Sequence, residues 1–300
     1  GLRDGDEINV YHTDPNAADS DLDRLSDGDE LSRYGTNPLD MDTDDDGLFD
    51  GDEVLIYQTN PLSSDTDGDG LSDTSEINTY HTSPILRDTD GDGIDDNNEV
   101  LLYRTNPLAA DTDSDGLNDF DEILTWHSDP LKPDTDGDGL SDGEEVNTYH
   151  TNPNLTDTDG DTLNDSAEVK IYHTDPTLAD TDGDTLNDAQ ELNNYHTDPL
   201  LADTDNDQLN DGLEIITYHT DPLDNDTDND TLLDGVEVNV YGTDPKLADT
   251  DGDGVDDATE IANGGDPLHV TSLAVNDVSI PRPTSGSTAV ATFTVTLQYP

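Results

Sequence analysis

Carboxylates crowd this chain in one recurring arrangement. In Asp65, Asp67, Asp69, Asp73 and Glu76 they stand at positions one, three, five, nine and twelve of a short stretch, with Gly70 at position six. Side chains at one, three and five converge on a point when the backbone turns sharply at six. The carbonyl at seven adds a neutral oxygen, nine contributes directly or through water, and twelve closes the shell with both its oxygens. About six or seven oxygens, several of them charged, suit a hard divalent cation. Ca2+ fits better than Mg2+, which demands a stricter octahedron and keeps its waters. The alternative is a solvated acidic array with no ion.

The arrangement recurs at a constant step of 23 residues, in eleven loops without insertion or deletion. The candidate ligands are Asp19, Asp21, Asp23, Asp27 and Glu30, then Asp42, Asp44, Asp46, Asp50 and Glu53, then the Asp65–Glu76 set above. Next come Asp88, Asp90, Asp92, Asp96 and Glu99, and then Asp111, Asp113, Asp115, Asp119 and Glu122. Asp134, Asp136, Asp138, Asp142 and Glu145 follow, with Asp157, Asp159, Asp161, Asp165 and Glu168 after them. Asp180, Asp182, Asp184, Asp188 and Glu191 form another set, as do Asp203, Asp205, Asp207, Asp211 and Glu214. The last two are Asp226, Asp228, Asp230, Asp234 and Glu237, and Asp249, Asp251, Asp253, Asp257 and Glu260. Backbone carbonyl ligands are expected at Leu25, Leu48, Leu71, Ile94, Leu117, Leu140, Leu163, Leu186, Leu209, Leu232 and Val255. One Ca2+ per loop makes eleven ions. These loops hold 55 of the 75 acids (eleven loops of five), a register that drift in a disordered tail would not keep.

The residues between loops show what must position them. Counting from the first Asp, position seven is always Leu, Ile or Val, and so is position thirteen. Position sixteen is aromatic in ten repeats, from Tyr34 through Trp126 to Tyr241. Thirteen and sixteen share one face of a helix of about two turns. Pro at position twenty, as in Pro38, Pro61 and Pro153, stops it. Each unit therefore reads as acidic loop, short helix, Pro turn and short extended link. One unit cannot bury its three or four apolar side chains alone, whereas stacked units can, so the expected fold is a repeat solenoid of 23-residue units. The aromatic row reads as an inter-repeat core or as a platform for stacking sugars. Seven of eight histidines stand at position seventeen (His12, His81, His127, His150, His173, His196, His219), as surface residues beside the helix end or as a sparse metal ladder.

Composition alone points elsewhere, to a disordered polyanion. The chain has 300 residues, 75 acidic against 9 basic, a formal charge of −66 and only 29% hydrophobic residues. Nucleic acid is excluded as a partner, because phosphate binding needs clustered Lys and Arg. No apolar run reaches membrane-spanning length, and no signal peptide stands at Gly1. With no cysteine, disulfides and thiolate metal sites are ruled out, so the acids are the only abundant material for cross-links. Without metal, five carboxylates in one small loop repel strongly, so binding and folding are expected to be one event.

The loops written DTDGDGLSDGEE resemble the calcium loops of thrombospondin type 3 repeats, in the form found in tandem arrays of bacterial surface proteins. They are similar also to EF-hands and dockerin modules. No entering helix fits between Pro61 and Asp65 or Pro84 and Asp88, which argues against paired EF-hand lobes. The resemblance covers residues 1–268. It implies loop ligands at the positions named, an extracellular or cell-surface setting and calcium-dependent rigidity. Position six departs from glycine at Arg24, Thr162, Thr185, Gln208 and Thr231, where a different turn or weaker binding is expected.

Domain boundaries follow. Residues 1–18 form a partial repeat in which Gly1, Leu2, Asp4 and Glu7 align with positions six, seven, nine and twelve. The eleven loops start at 19, 42, 65, 88, 111, 134, 157, 180, 203, 226 and 249. Stretch 261–269 loses the aromatic and one residue and reads as a cap. Residues 269–300 are expected to be a small β segment, with strands at 273–280 and 287–297. This segment resembles the opening of a Calx-beta or immunoglobulin-like sandwich. Two strands alone are unstable, so either more chain follows or a second copy of the protein supplies strands, as in a head-to-tail filament.

The function expected is a calcium-stiffened extracellular rod, serving as stalk, filament subunit or fibre segment. Its rivals are a calcium-storing or mineral-templating polyanion and a non-catalytic spacer of a larger secreted enzyme or adhesin. No nucleophile elbow, zinc motif or phosphate loop occurs, so no enzyme is expected in these residues. Glycans are candidate partners at the sequons Asn154, Asn164, Asn225 and Asn229, and on outward-facing position-two residues such as Thr66 and Thr135.

Overall fold

Residue eight of each repeat starts the helix. Ser72, Ser141 and Asn187 lie in extended conformation and accept from the backbone N–H three residues on; Ser141 with Glu144 and Asn187 with Gln190 complete capping boxes. In the repeat that begins at Asp134, Asp142–Glu144 is α-wound and Glu145–Tyr149 is π-wound, a single helix that widens halfway. The same two-part helix stands in every repeat from Asp4–Tyr11 to Asp234–Tyr241. It ends in a left-handed residue at position seventeen, such as His81 or Gly35, whose N–H reaches the carbonyl of position twelve, at 2.6 Å for His81 to Glu76.

The π winding has a cause in the last repeat. Asp257–Asn263 is purely α, and its left-handed cap, Gly264, falls one residue earlier. The missing residue in that stretch is the one the other repeats accommodate by widening the helix. The Pro turn follows as expected: Asp40 N–H donates to Asn37 O at 2.9 Å across Pro38. The link is a turn rather than an extended segment, with no strand among the described residues.

The structure, a computed structural model, describes residues 1–270. The expected β segment, with its strands at 273–280 and 287–297 and its sandwich resemblance, therefore lies outside the described residues apart from 269 and 270. The chain divides into two compact units, Gly1–Thr158 and Asp159–Pro300, and the described residues of each are built of the same tandem repeat.

Within each unit hydrogen bonds join successive repeats. Gly51 N–H donates to Asp23 at 2.8 Å in the first, and Gly212 N–H to Asp184 at 2.7 Å in the second. The apolar interior is thin: at most one buried side chain per repeat at position seven (Leu25, Leu48, Leu71, Ile94, Leu117, Leu140, Leu186, Leu209), with Ala189 in addition, while Leu163 and Leu232 are half-buried and Val255 is exposed. Each buried leucine contributes about 1.5–3 kcal/mol, little against the entropy of ordering a whole repeat. The aromatic row is half-buried, with Tyr241 exposed, and forms no sealed core. The largest fully buried side chains are instead, Leu140 apart, the position-twelve glutamates from Glu30 to Glu237.

Candidate metal centre

The turn at the head of each loop is held by its first carboxylate. Asp65 Oδ1 accepts from Gly68 N–H at 2.7 Å and Oδ2 from Gly70 N–H at 3.1 Å. Both glycines have positive φ, 77° and 108°. Asp67 accepts from Asp69 N–H, and Asp69 from Leu71 N–H at 2.6 Å. Carboxylate oxygens of Asp65, Asp67 and Asp69 thereby come within 4.8 Å of one another, as do those of Asp19, Asp21 and Asp23, of Asp42, Asp44 and Asp46, and of Asp88, Asp90 and Asp92.

Glu76, at position twelve, is fully buried at the widened turn of its helix. Its Oε1 accepts from the Thr82 hydroxyl at 3.2 Å. The π winding sets up this contact: the chain turns back through His81, and Thr82 returns to the glutamate. Burial, then the charges of Asp67 and Asp69, push the Glu76 carboxyl up to about 8. Its counterparts Glu53, Glu145 and Glu214 are also raised to about 8, with burial first among the causes. Burial and neighbouring Asp charges raise position three as well, to about 6 at Asp136 and about 7 at Asp205.

Position nine is buried too, and its oxygens are claimed by position two. Asp73 Oδ1 accepts from Thr66 N–H at 2.8 Å and Oδ2 from the Thr66 hydroxyl at 2.6 Å. That hydroxyl also accepts from Asn60 N–H at 2.8 Å, and Thr135 is bound in the same way between Asp142 and Asp129. The hydroxyls at position two thus do not face outward, as the sequence suggests, but are tied into the fold. Asn154 is exposed, yet its amide donates to Trp126 O at 3.0 Å, while Asn164 caps a helix through Ala167 N–H at 2.7 Å.

At position seven the side chain is buried in eight of the eleven loops, and the N–H donates to the position-five aspartate of its own loop, as Leu140 does to Asp138 at 2.7 Å. The departures from glycine at position six do not alter the turn. Arg24, Thr162, Thr185, Gln208 and Thr231 keep φ of 84° to 91°, and Thr185 N–H still reaches Asp180 at 2.9 Å. The histidines at position seventeen are exposed, and each ring Nδ1 lies near the carbonyl four residues back, at 3.1 Å for His81 and Ile77. That is a helix-end role and not a metal ladder.

A cation fits this donor set, and orphaned oxygens are the reason. Glu76 Oε2 and Asp67 Oδ2 are buried without a protein partner, and so are the same atoms of Asp21 and Glu30, Asp44 and Glu53, Asp136 and Glu145, and Asp205 and Glu214. A buried anionic oxygen with no donor is costly. The ion pairs of Arg24 with Asp52, Arg33 with Asp29, Arg87 with Asp95 and Lys132 with Asp129 use acids outside the ligand positions. Sequence reasoning missed the part that two residues play in supporting the site, the threonine or serine at position two, which it turned outward, and the threonine or serine at position eighteen. Their recurrence at fixed places beside the acids was the available signal.

Fold and site together define a tandem-repeat protein whose interior is a series of carboxylate loops suited to divalent cations. The family model described as "Bacterial TSP3 repeat" matches twelve consecutive stretches: residues 1–18, 19–40, 42–64, 65–85, 88–110, 111–133, 134–156, 157–179, 180–202, 203–225, 226–248 and 249–269. The chain belongs to that family.

No curated protein matches it. Among solved structures it is similar to a "Biofilm associated protein - BSP domain" chain, at 45% identity and a TM-score of 0.15 over 15% of this chain and 8% of that one. It is similar also to a "Biofilm associated protein - B domain" chain, at 49% identity and a TM-score of 0.15 over 15% of this chain and 11% of that one. These matches span about a tenth of the neighbours' length. No helix among the described residues is long and apolar enough to cross a membrane.

Proposed function

We propose that each loop binds one Ca2+ through its aspartates and the glutamate at position twelve, with the carbonyl at seven, and that the loaded repeats stack into a stiff solenoid. This rod works outside the cell, as a stalk, filament subunit or surface-fibre segment, and it is non-catalytic. The observation that carries the reading is the buried glutamate in each repeat with an orphaned oxygen, standing where other proteins place apolar residues. Cations supply the cohesion that one leucine per repeat does not. Extracellular calcium modules bind at about 10⁻⁴–10⁻³ M, so such sites fill outside a cell and stay empty within it.

The test is small-angle scattering and circular dichroism before and after chelation, with bound calcium counted by dialysis. The reading expects about eleven ions, a long cross-section-limited profile when loaded, and collapse to a flexible chain when stripped. A profile unchanged by full removal overturns it, and would leave a store that loads and unloads without changing shape. Self-association through residues 269–300 belongs to the same proposal, and light scattering on the chain with and without those residues checks it.

A further inference from the structure

Position nine has a second neighbour, and it belongs to another repeat. Carboxylate oxygens of Asp23, Glu30 and Asp50 lie within 4.8 Å of one another, and all three residues are buried. Asp23 and Glu30 are positions five and twelve of one loop; Asp50 is position nine of the next. Glu30 is fully buried, with Oε1 bound by the Thr36 hydroxyl at 3.3 Å and Oε2 left without a partner. Asp50 is held by the Thr43 N–H at 2.9 Å and hydroxyl at 2.6 Å, one bond to each oxygen, which leaves a lone pair on each. Beside it, Gly51 N–H donates to Asp23 Oδ2 at 2.8 Å and locks the register between the two repeats.

We propose that, within each compact unit, the aspartate at position nine of a repeat closes the Ca2+ site of the preceding repeat, so that the ion bridges the two. The inference rests on the proposed calcium reading and deepens it. Three ionised carboxylates buried at this spacing need a positive charge among them, and the third comes from across the junction. The register bond recurs at Gly143 to Asp115 (2.8 Å), Gly212 to Asp184 (2.7 Å) and Gly235 to Asp207 (2.7 Å), in both units. At Asp142, burial raises the carboxyl, hydrogen bonds from Thr135 oppose this, and the nearby charge of Asp115 across the junction adds to it. Asp142 also figures among the charges acting on Glu122 and Asp113. Emptying one loop then unties two repeats.

Trp126, the only tryptophan, ends the helix that carries Glu122 and makes the loop at Asp111 addressable. Terbium luminescence sensitised through Trp126 in the full chain, displaced by Ca2+, reads that loop, and the Asp113→Asn variant marks the signal that belongs to it. Asp142→Asn should raise the calcium concentration needed there roughly tenfold, whereas Asp119→Asn, the loop's own position nine, should change it less than about twofold. The reverse ranking, or equal effects, overturns the bridging assignment. Failure of the unaltered chain to bind terbium or calcium overturns the calcium reading itself, which is a distinct outcome. Should Asp142→Asn not fold, a crystal structure of the loaded wild-type chain decides. Ions about 2.3–2.6 Å from the next repeat's position-nine oxygen uphold the proposal, and ions beyond about 4 Å overturn it.

Discussion

Glu145 is the residue on which the pH behaviour turns. Burial and the charges of Asp136, Asp138 and Asp142 raise its carboxyl from an ordinary 4.5 to about 8, against the Thr151 hydrogen bond. In the metal-free chain the folded state then holds more protons than the unfolded one. Stability is greatest below about pH 4.5 and is lost as pH rises toward 8. Chelated protein should therefore gain helical signal on acidification from pH 8 to about 5, by circular dichroism, while calcium affinity falls over the same range because protons compete for the glutamate. A metal-free chain equally disordered at both values would contradict this.

Thr185 supplies a second expectation at this scale. It holds φ of 91°, where a β-branched residue is strained. Thr185→Gly should stabilise its loop by about 1 kcal/mol after the entropy of the added glycine is offset, read as slower amide exchange at Leu186 in saturating calcium. The loop ligands were legible because alternate carboxylates closed by a glutamate have one chemical use. Thr151 was not, because a threonine near a helix end has many uses and only the backbone path returns it to Glu145.

At the scale of the element, the helix carries one more residue than two α turns accommodate. Apolar residues at thirteen and sixteen signalled a helix, but α and π winding place them on nearly the same face, so the pattern did not separate the two. The contrast with Asp257–Asn263, one residue shorter and fully α, makes the cause visible. The junction is tight at Gly51, a glycine at position ten. A Cβ on Gly51 would stand 2.1 Å from Asp23 O. Gly51→Ala should cost about 1–3 kcal/mol, seen as faster exchange of the amide at 51 and a weakened loop at Asp19. Ala189 donates to Asp161 at 2.9 Å in the second unit, so alanine is tolerated where the backbone leaves it room. An unchanged junction in Gly51→Ala would mean that the first unit relaxes in the same way.

For the whole molecule, mass action sets the expectation. Each site that binds only the folded chain adds about 2.7 kcal/mol at a hundredfold excess over its Kd. The thermal midpoint should climb with each decade of Ca2+ and rise less with Mg2+ at equal concentration; equal responses to the two ions would argue for simple charge screening.

A step of 23 residues, with acids at one, three, five, nine and twelve, was enough to establish a repeat and a hard-cation chemistry, because both follow from spacing along the chain. The partners of position nine were beyond it. In a perfectly periodic chain every loop is flanked by identical ones, so a ligand lent to its own loop and a ligand lent to the neighbour leave the same sequence. Only the packing of one repeat on the next brings Asp50 to Asp23 and Glu30, and only the folded chain buries the glutamate that waits there for a charge.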